Sequence, residues 1–100
     1  MARNRNTDVD GNEWDEEVKQ TVWQKGQLLL KFAPEEFRRD VTGFAMKYSD
    51  FGNQSSMYGW EIDHVFPVAL GGNDSITNLQ PLHWTNNLDK GDSLSWKRKE

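Results

Sequence analysis

Residues 59–92 read GWEIDHVFPVALGGNDSITNLQPLHWTNNLDKGD, and the reading of this stretch decides the fold. Trp60 to Val65 reads as a strand. Pro67 to Thr77 reads as a loop, punctuated by Gly71-Gly72-Asn73-Asp74. Leu79 to His83 reads as a second strand, and Trp84 to about Asp89 as a short helix stopped by Gly91. A strand–loop–strand–helix unit carries chemistry in a small space. The end of its first strand offers Asp63 and His64, and its helix returns Asn87 towards the same point.

Working outward, residues 1–12 are polar and are expected to fray as a flexible N-terminal segment. Glu13 to Lys25 reads as a helix, because Trp14, Val18 and Val22 form one apolar stripe. Asn12 is its expected N-cap, Asp15, Glu16 and Glu17 suit the positive end of its dipole, and Gly26 is its stop. Leu28-Leu29-Leu30 reads as a short buried run. Pro34-Glu35-Glu36 reads as the first turn of a second helix ending near Asp40. Thr42 to Tyr48 alternates, with Phe44, Met46 and Tyr48 on one face of a strand. Ser49 to Ser56 is a polar loop, and the chain closes on a basic Lys97-Arg98-Lys99 tail.

One hundred residues make one domain, expected over 13–100 with its core motif at 59–92. A chain this short buries a modest core, to which five Trp and five Phe must contribute heavily. Trp14, Trp23, Trp60 and Trp84 are read as core rather than base-stacking platforms. The absence of Cys excludes disulfides and a thiolate zinc site. No apolar run reaches membrane-spanning length and the N-terminus shows no signal-like h-region, so a soluble, cytoplasmic protein without a membrane partner is expected. The net charge of −4 opposes tight nonspecific binding to phosphates. It does not oppose catalysis, since acids that ligate a cation change the local sign.

The pattern carries a resemblance. Asp63-His64, Asn78 fourteen positions past that His, Asn87 nine positions further, the Gly-Gly loop and the closing Lys90-Gly91-Asp92 together resemble the HNH endonuclease family. The looser upstream matches are Trp23 with Lys25, Arg38-Arg39-Asp40 with Gly43, Tyr48 to Gly52, and Tyr58-Gly59-Trp60. The resemblance implies an α+β fold: a ββα-metal (His-Me finger) core with N-terminal helices and a preceding strand. It implies metal-dependent hydrolysis of DNA phosphodiester bonds, as a nick or a double-strand cut.

On that resemblance His64 matches the general base, and a neutral imidazole suits the role at physiological pH. Asp63 and Asn87 match the ligands of one divalent cation. Asn78 matches the residue that ties down the loop and orients the His, and Lys90 a basic position that contacts phosphate. A carboxylate and an amide are hard oxygen donors, so Mg²⁺ or Mn²⁺ is expected ahead of Zn²⁺. Many HNH proteins carry two CxxC pairs around the motif for a structural zinc. Here the second pair is replaced by His83 and Asn86, so that zinc site is absent and Trp60, Pro81, Leu82 and Trp84 are the expected packing in its place.

Several residues keep two readings. Arg38 and Arg39 either grip the DNA backbone or form surface ion pairs with Asp40 or Glu35. Glu61 either supports the metal site from behind or is solvated or salt-bridged. His83 is read as a local hydrogen-bonding residue. The basic tail is read as solvated. Rival functions are a non-catalytic nucleic-acid- or protein-binding module, a toxin-type nuclease, and an RNase. The partner expected is duplex DNA, and a double-strand cut is simplest from a dimer.

Overall fold

The computed structural model describes residues 4–96, so the Lys97-Arg98-Lys99 tail lies outside the described residues. The chain runs α1 (Glu16–Trp23), β1 (Gln27–Leu28), β2 (Phe37–Arg39), β3 (Ala45–Lys47), β4 (Trp60–His64), β5 (Leu79–His83) and α2 (Trp84–Lys90). β1, β2 and β3 form one antiparallel sheet in that order, and β4 and β5 form a second antiparallel pair. The result is a small mixed α/β fold. Among the described residues no helix is long and apolar enough to cross a membrane.

The first half departs from expectation in four places. Helix α1 starts three residues late, because Asp15, not Asn12, is the N-cap and accepts from Val18 N at 2.9 Å. Asn12 is already used: its N–H donates to Asp8 Oδ1 and its carbonyl accepts from Asp8 N. The Leu28–Leu30 run is not buried. Leu28 is 66% and Leu30 86% exposed, since β1 is a two-residue strand at the edge of its sheet. Pro34 opens a single turn, not a helix. Glu36 N and Phe37 N both donate to Ala33 O, and the chain then extends into β2, whose pairing on both sides outweighs the costly extension of a short helix. Lastly, the strand expected over 42–48 shrinks to β3, because residues 40–44 are folded into a turn by the Asp40 side chain.

The core gathers Trp14, Val22, Trp23, Met46, Trp60, Ile62 and Leu79, with Val18, Tyr48 and Phe51 against it. The aromatic rings meet at tilted or edge-on geometries, with Trp23 and Trp60 centroids 4.9 Å apart. The Trp14 indole N–H is buried without a partner among the described residues, whereas three other indoles reach backbone carbonyls. Trp23 Nε1 donates to Pro34 O, Trp60 Nε1 to Tyr48 O and Trp84 Nε1 to Ser56 O, so the tryptophans also pin loops.

The second half forms close to its expected bounds. β4 and β5 pair from Trp60↔His83 to His64↔Leu79. The intervening loop is closed by Gly72, whose N–H donates to Pro67 O. A Cβ at Gly72 would stand 1.7 Å from Phe66 O, and Gly71 adopts φ +103°, so both glycines are required where they stand.

Where the expected zinc pair is replaced, a carboxylate stands instead. Asp40, 1% exposed, accepts His83 N and Asn86 Nδ2 on Oδ2, each at 2.9 Å. Its Oδ1 accepts Thr42 N, Thr42 Oγ1 and Phe44 N. This polar hub welds the β2–β3 turn to the start of α2, alongside buried Trp60 and Leu82.

Candidate functional site

All five residues of β4 are buried, which sets the character of the site. The two acids of the strand reach α2: Asn87 Nδ2 donates to Glu61 Oε1 at 2.8 Å, and Lys90 Nζ lies 3.2 Å from Asp63 Oδ1. His64 packs instead against Trp14, with ring centroids 5.6 Å apart.

Asp63, His64 and Asn87 come together in one cleft, whose wall also includes Arg5, Asn6, Gly91 and Asp92. Its volume is about 270 Å³. At about 30 Å³ per water, this suits an ion, its waters and a phosphodiester group rather than a drug-sized ligand. A larger cavity beside Trp23, Arg38 and Tyr48 brings together no comparable set of base and oxygen donors.

Asn87 is aimed by its neighbour. Its Nδ2 is tied to Glu61, whose other oxygen accepts Gln54 Nε2 at 3.0 Å. The amide oxygen is thereby left as the atom available to the cleft. Of the two readings of Glu61, the geometry matches support from behind rather than solvation, since it is 3% exposed. Asp63 accepts Gln80 Nε2 on Oδ2 at 2.9 Å and meets Lys90 at Oδ1. Burial pushes its carboxyl above the ordinary aspartate value, and the Gln80 hydrogen bond and the Lys90 charge oppose that rise. Asp63 and the Asn87 oxygen make a donor pair suited to a hard divalent cation. Among the described residues there is no cluster of three or more His, Cys, Asp or Glu that could hold a metal, so protein donors here are few.

Asn78 spans the loop. Its Oδ1 accepts Phe66 N at 2.8 Å, and its Nδ2 donates to Phe66 O and Asn73 O. It makes no hydrogen bond to the His64 ring. That ring meets Asp74, with Nε2 2.8 Å from Oδ1.

The basic residues are placed differently from expectation. Lys90 is 6% exposed and bonds Asp63 and His64 O, so it does not present its ammonium to an outside phosphate. A buried carboxylate draws the nearest cation inward. Arg38 makes no ion pair with Asp40 or Glu35 among the described residues. Its guanidinium donates to Pro34 O, Gln24 O and Gly26 O, stitching the end of α1 to the sheet. Arg39 follows it on the strand and is exposed.

Sequence reasoning missed Arg5, Asn6 and Asp74. The segment expected to fray is tied to the site in its described part. Asn6 Oδ1 accepts Ile62 N at 2.8 Å, and Val9 N donates to both oxygens of Asp74. Asp74 lay inside the Gly-Gly-Asn-Asp signal, which was legible only as a loop.

Residues 49–93 match the family model described as HNH endonuclease. This segment belongs to the HNH family. The match covers β4, β5 and α2, and so every residue of the Asp63–His64–Asn87 cleft apart from Arg5 and Asn6. It places the HNH segment among nuclease hydrolases. No curated protein and no solved structure matches the chain.

Proposed function

We infer that the chain is a metal-dependent endonuclease hydrolysing DNA phosphodiester bonds, built on a ββα-metal unit formed by β4, β5 and α2. The observation that carries this reading is the cleft in which an imidazole, a carboxylate and an amide oxygen converge, inside the HNH segment. His64 is the general base. Asp63 and the Asn87 oxygen hold one divalent cation, Mg²⁺ or Mn²⁺, and Glu61 keeps the Asn87 amide turned the right way. When bound, that cation neutralises charge on the phosphate and the leaving oxygen.

The chain's own residues do the rest. His64 takes a proton from water, the water oxygen bonds to phosphorus, and the bond to the leaving oxygen breaks. Arg5 supplies the cationic side chain of the cleft wall and contacts the phosphodiester. Lys90 stays inside as the counter-charge of Asp63 and opposes the rise that burial imposes on its carboxyl. Asn78 holds the loop in shape. Arg38, three of whose five N–H donors are held by backbone carbonyls, and the buried Lys90 are left out of the DNA contacts in this reading.

A time course of supercoiled-plasmid cleavage tests this reading. Mg²⁺ or Mn²⁺ should support nicking, and EDTA should abolish it. Persistent cleavage in EDTA, or none with any divalent ion, defeats it.

A further inference from the structure

Asp74 sits in the β4–β5 loop, and its Oδ1 lies 2.8 Å from His64 Nε2. The His64 side chain is 3% exposed and that of Asp74 33%. Two other elements fix this carboxylate. Val9 N–H approaches both of its oxygens at 3.2 Å. Asn78 Nδ2 donates to Asn73 O at 2.8 Å, holding the backbone immediately before Asp74. The loop brace therefore reaches the imidazole through Asp74, and the N-terminal segment is joined to the same point.

We propose that Asp74 is the positioning residue for the base: it accepts the Nε2–H of His64, fixes that tautomer, and leaves Nδ1 open to the cleft. The proposal rests on the reading of His64 as the base. An ionised carboxylate only accepts hydrogen bonds, so a neutral ring bonded to Asp74 carries its proton on Nε2. Nδ1 then holds the lone pair. No described residue hydrogen-bonds Nδ1. It is also not sealed away, since Trp14 Nε1 is the lone buried side-chain polar atom without a partner among the described residues. In the hydrolytic step Nδ1 receives the water proton, the water oxygen joins phosphorus, the P–O bond to the leaving group breaks, and the leaving oxygen takes a proton from solvent. A ring with its proton on Nδ1 has no lone pair there to accept with.

His83 supplies an internal reference. Its Nε2 lies 2.7 Å from Met57 O, which only accepts, and its Nδ1 accepts from Thr85 N. It is the same tautomer, held by groups that do not involve Asp74. The chain has two histidines, so a ring-¹⁵N spectrum contains one probe and one control.

The experiment is ¹⁵N-histidine NMR on the metal-free full chain, above the ordinary imidazole range of about pH 6.5, alongside plasmid kinetics. Wild-type His64 should be a single Nε2–H tautomer with its ring proton protected from exchange. Asp74→Ala should mix the tautomers and lose that proton to solvent, with His83 unchanged. Its kcat should fall on the order of 10- to 100-fold, a share of the roughly 10²–10⁴ that base catalysis supplies, with KM and Mn²⁺ affinity unchanged. Asp74→Asn keeps a side-chain carbonyl acceptor and should retain the tautomer and recover most of kcat. Asp74→Leu, which keeps bulk without an acceptor, replaces the alanine variant if that variant does not fold. An Nδ1–H tautomer in the wild type overturns the proposal, as does an acceptor-less variant with unchanged ring signals or with wild-type kcat. Should the spectra behave as stated while no form of the protein cuts DNA, the Asp74–His64 pairing stands and the nuclease reading fails.

Discussion

Two buried aspartates hold the two ends of α2, and they are satisfied in opposite ways. Asp40, at the helix start, accepts five hydrogen bonds. Asp63, near the helix end, has two partners, Gln80 and Lys90. A carboxylate offers about four lone-pair sites. Asp40 has none to spare and has become a structural joint. Asp63 keeps acceptor capacity, lines a cleft, and carries a burial penalty that lifts its pKa. The difference teaches that burial of charge alone does not mark a functional site. Unused valence facing a cavity does.

The largest test of the contrast is stability. Asp40→Ala takes the acceptor from His83 N and from the Thr42 N–H and hydroxyl, while Asn86 Nδ2 keeps its bond to Thr42 Oγ1, and each unsatisfied buried donor costs about 1–3 kcal/mol. A loss of at least about 3 kcal/mol in urea unfolding is expected, a large share of the ordinary 5–15 kcal/mol. Asp63→Asn keeps an acceptor for Gln80 and leaves Lys90 its bond to His64 O, but it removes that buried ammonium's counter-charge. It should therefore also cost stability, though less than Asp40→Ala because fewer donors are stranded, and it should lose Mn²⁺ binding. The reverse order of stabilities would break the comparison.

Asn78→Ala comes next. Its amide satisfies three backbone groups across the loop, so a loss of about 1–3 kcal/mol is expected together with slower cleavage. Full stability and full rate in this variant would remove the loop from the account.

The Asp63 carboxyl also makes a pH prediction. Its folded pKa is raised, so the native state binds this proton more readily than the unfolded chain. Its contribution to stability is present below the unfolded value and is lost as pH rises through the folded one. Metal binding runs the other way, because the proton competes for the ligand. Mn²⁺ affinity should fall on acidification at a pH above that of an ordinary aspartate, and calorimetry across mildly acidic pH reads this. An affinity flat down to the ordinary aspartate range would mean Asp63 is not a ligand.

The smallest effects concern DNA. Arg5→Ala should lower affinity across all sequences and reduce the salt slope by about 1. Arg38→Ala should leave that slope unchanged and lower stability, since its guanidinium is bonded to three carbonyls. A slope that responds to Arg38 and not to Arg5 would move the DNA face to the other side of the molecule.

What was legible in the sequence follows the range of the forces involved. β4, the Gly-Gly loop, β5 and α2 carry local signals: glycines that a Cβ would jam, and polar residues at fixed intervals. β1 to β3 carry none that suffice, because two- and three-residue strands exist only through their partners. Leu28 and Leu30 are apolar and exposed, a result no hydropathy pattern encodes. Arg5 and Asn6 sit in a segment too polar to form a core, and their place is set by partners distant in sequence, with Ile62 N donating to Asn6 Oδ1 and Val9 N donating to Asp74. Lys90 was legible as a cation, but its inward turn is a property of the buried Asp63 opposite.

The central claim is that His64 moves a proton while Asp63 and Asn87 hold the ion. Single-turnover plasmid cleavage and Mn²⁺ titration on the same preparations of wild type and His64→Ala separate the two roles. The account predicts a cleavage loss on the order of 10²-fold or more in the variant, with Mn²⁺ affinity unchanged. Cleavage near the wild-type rate, or a loss of Mn²⁺ binding that matches the loss of cleavage, would contradict it.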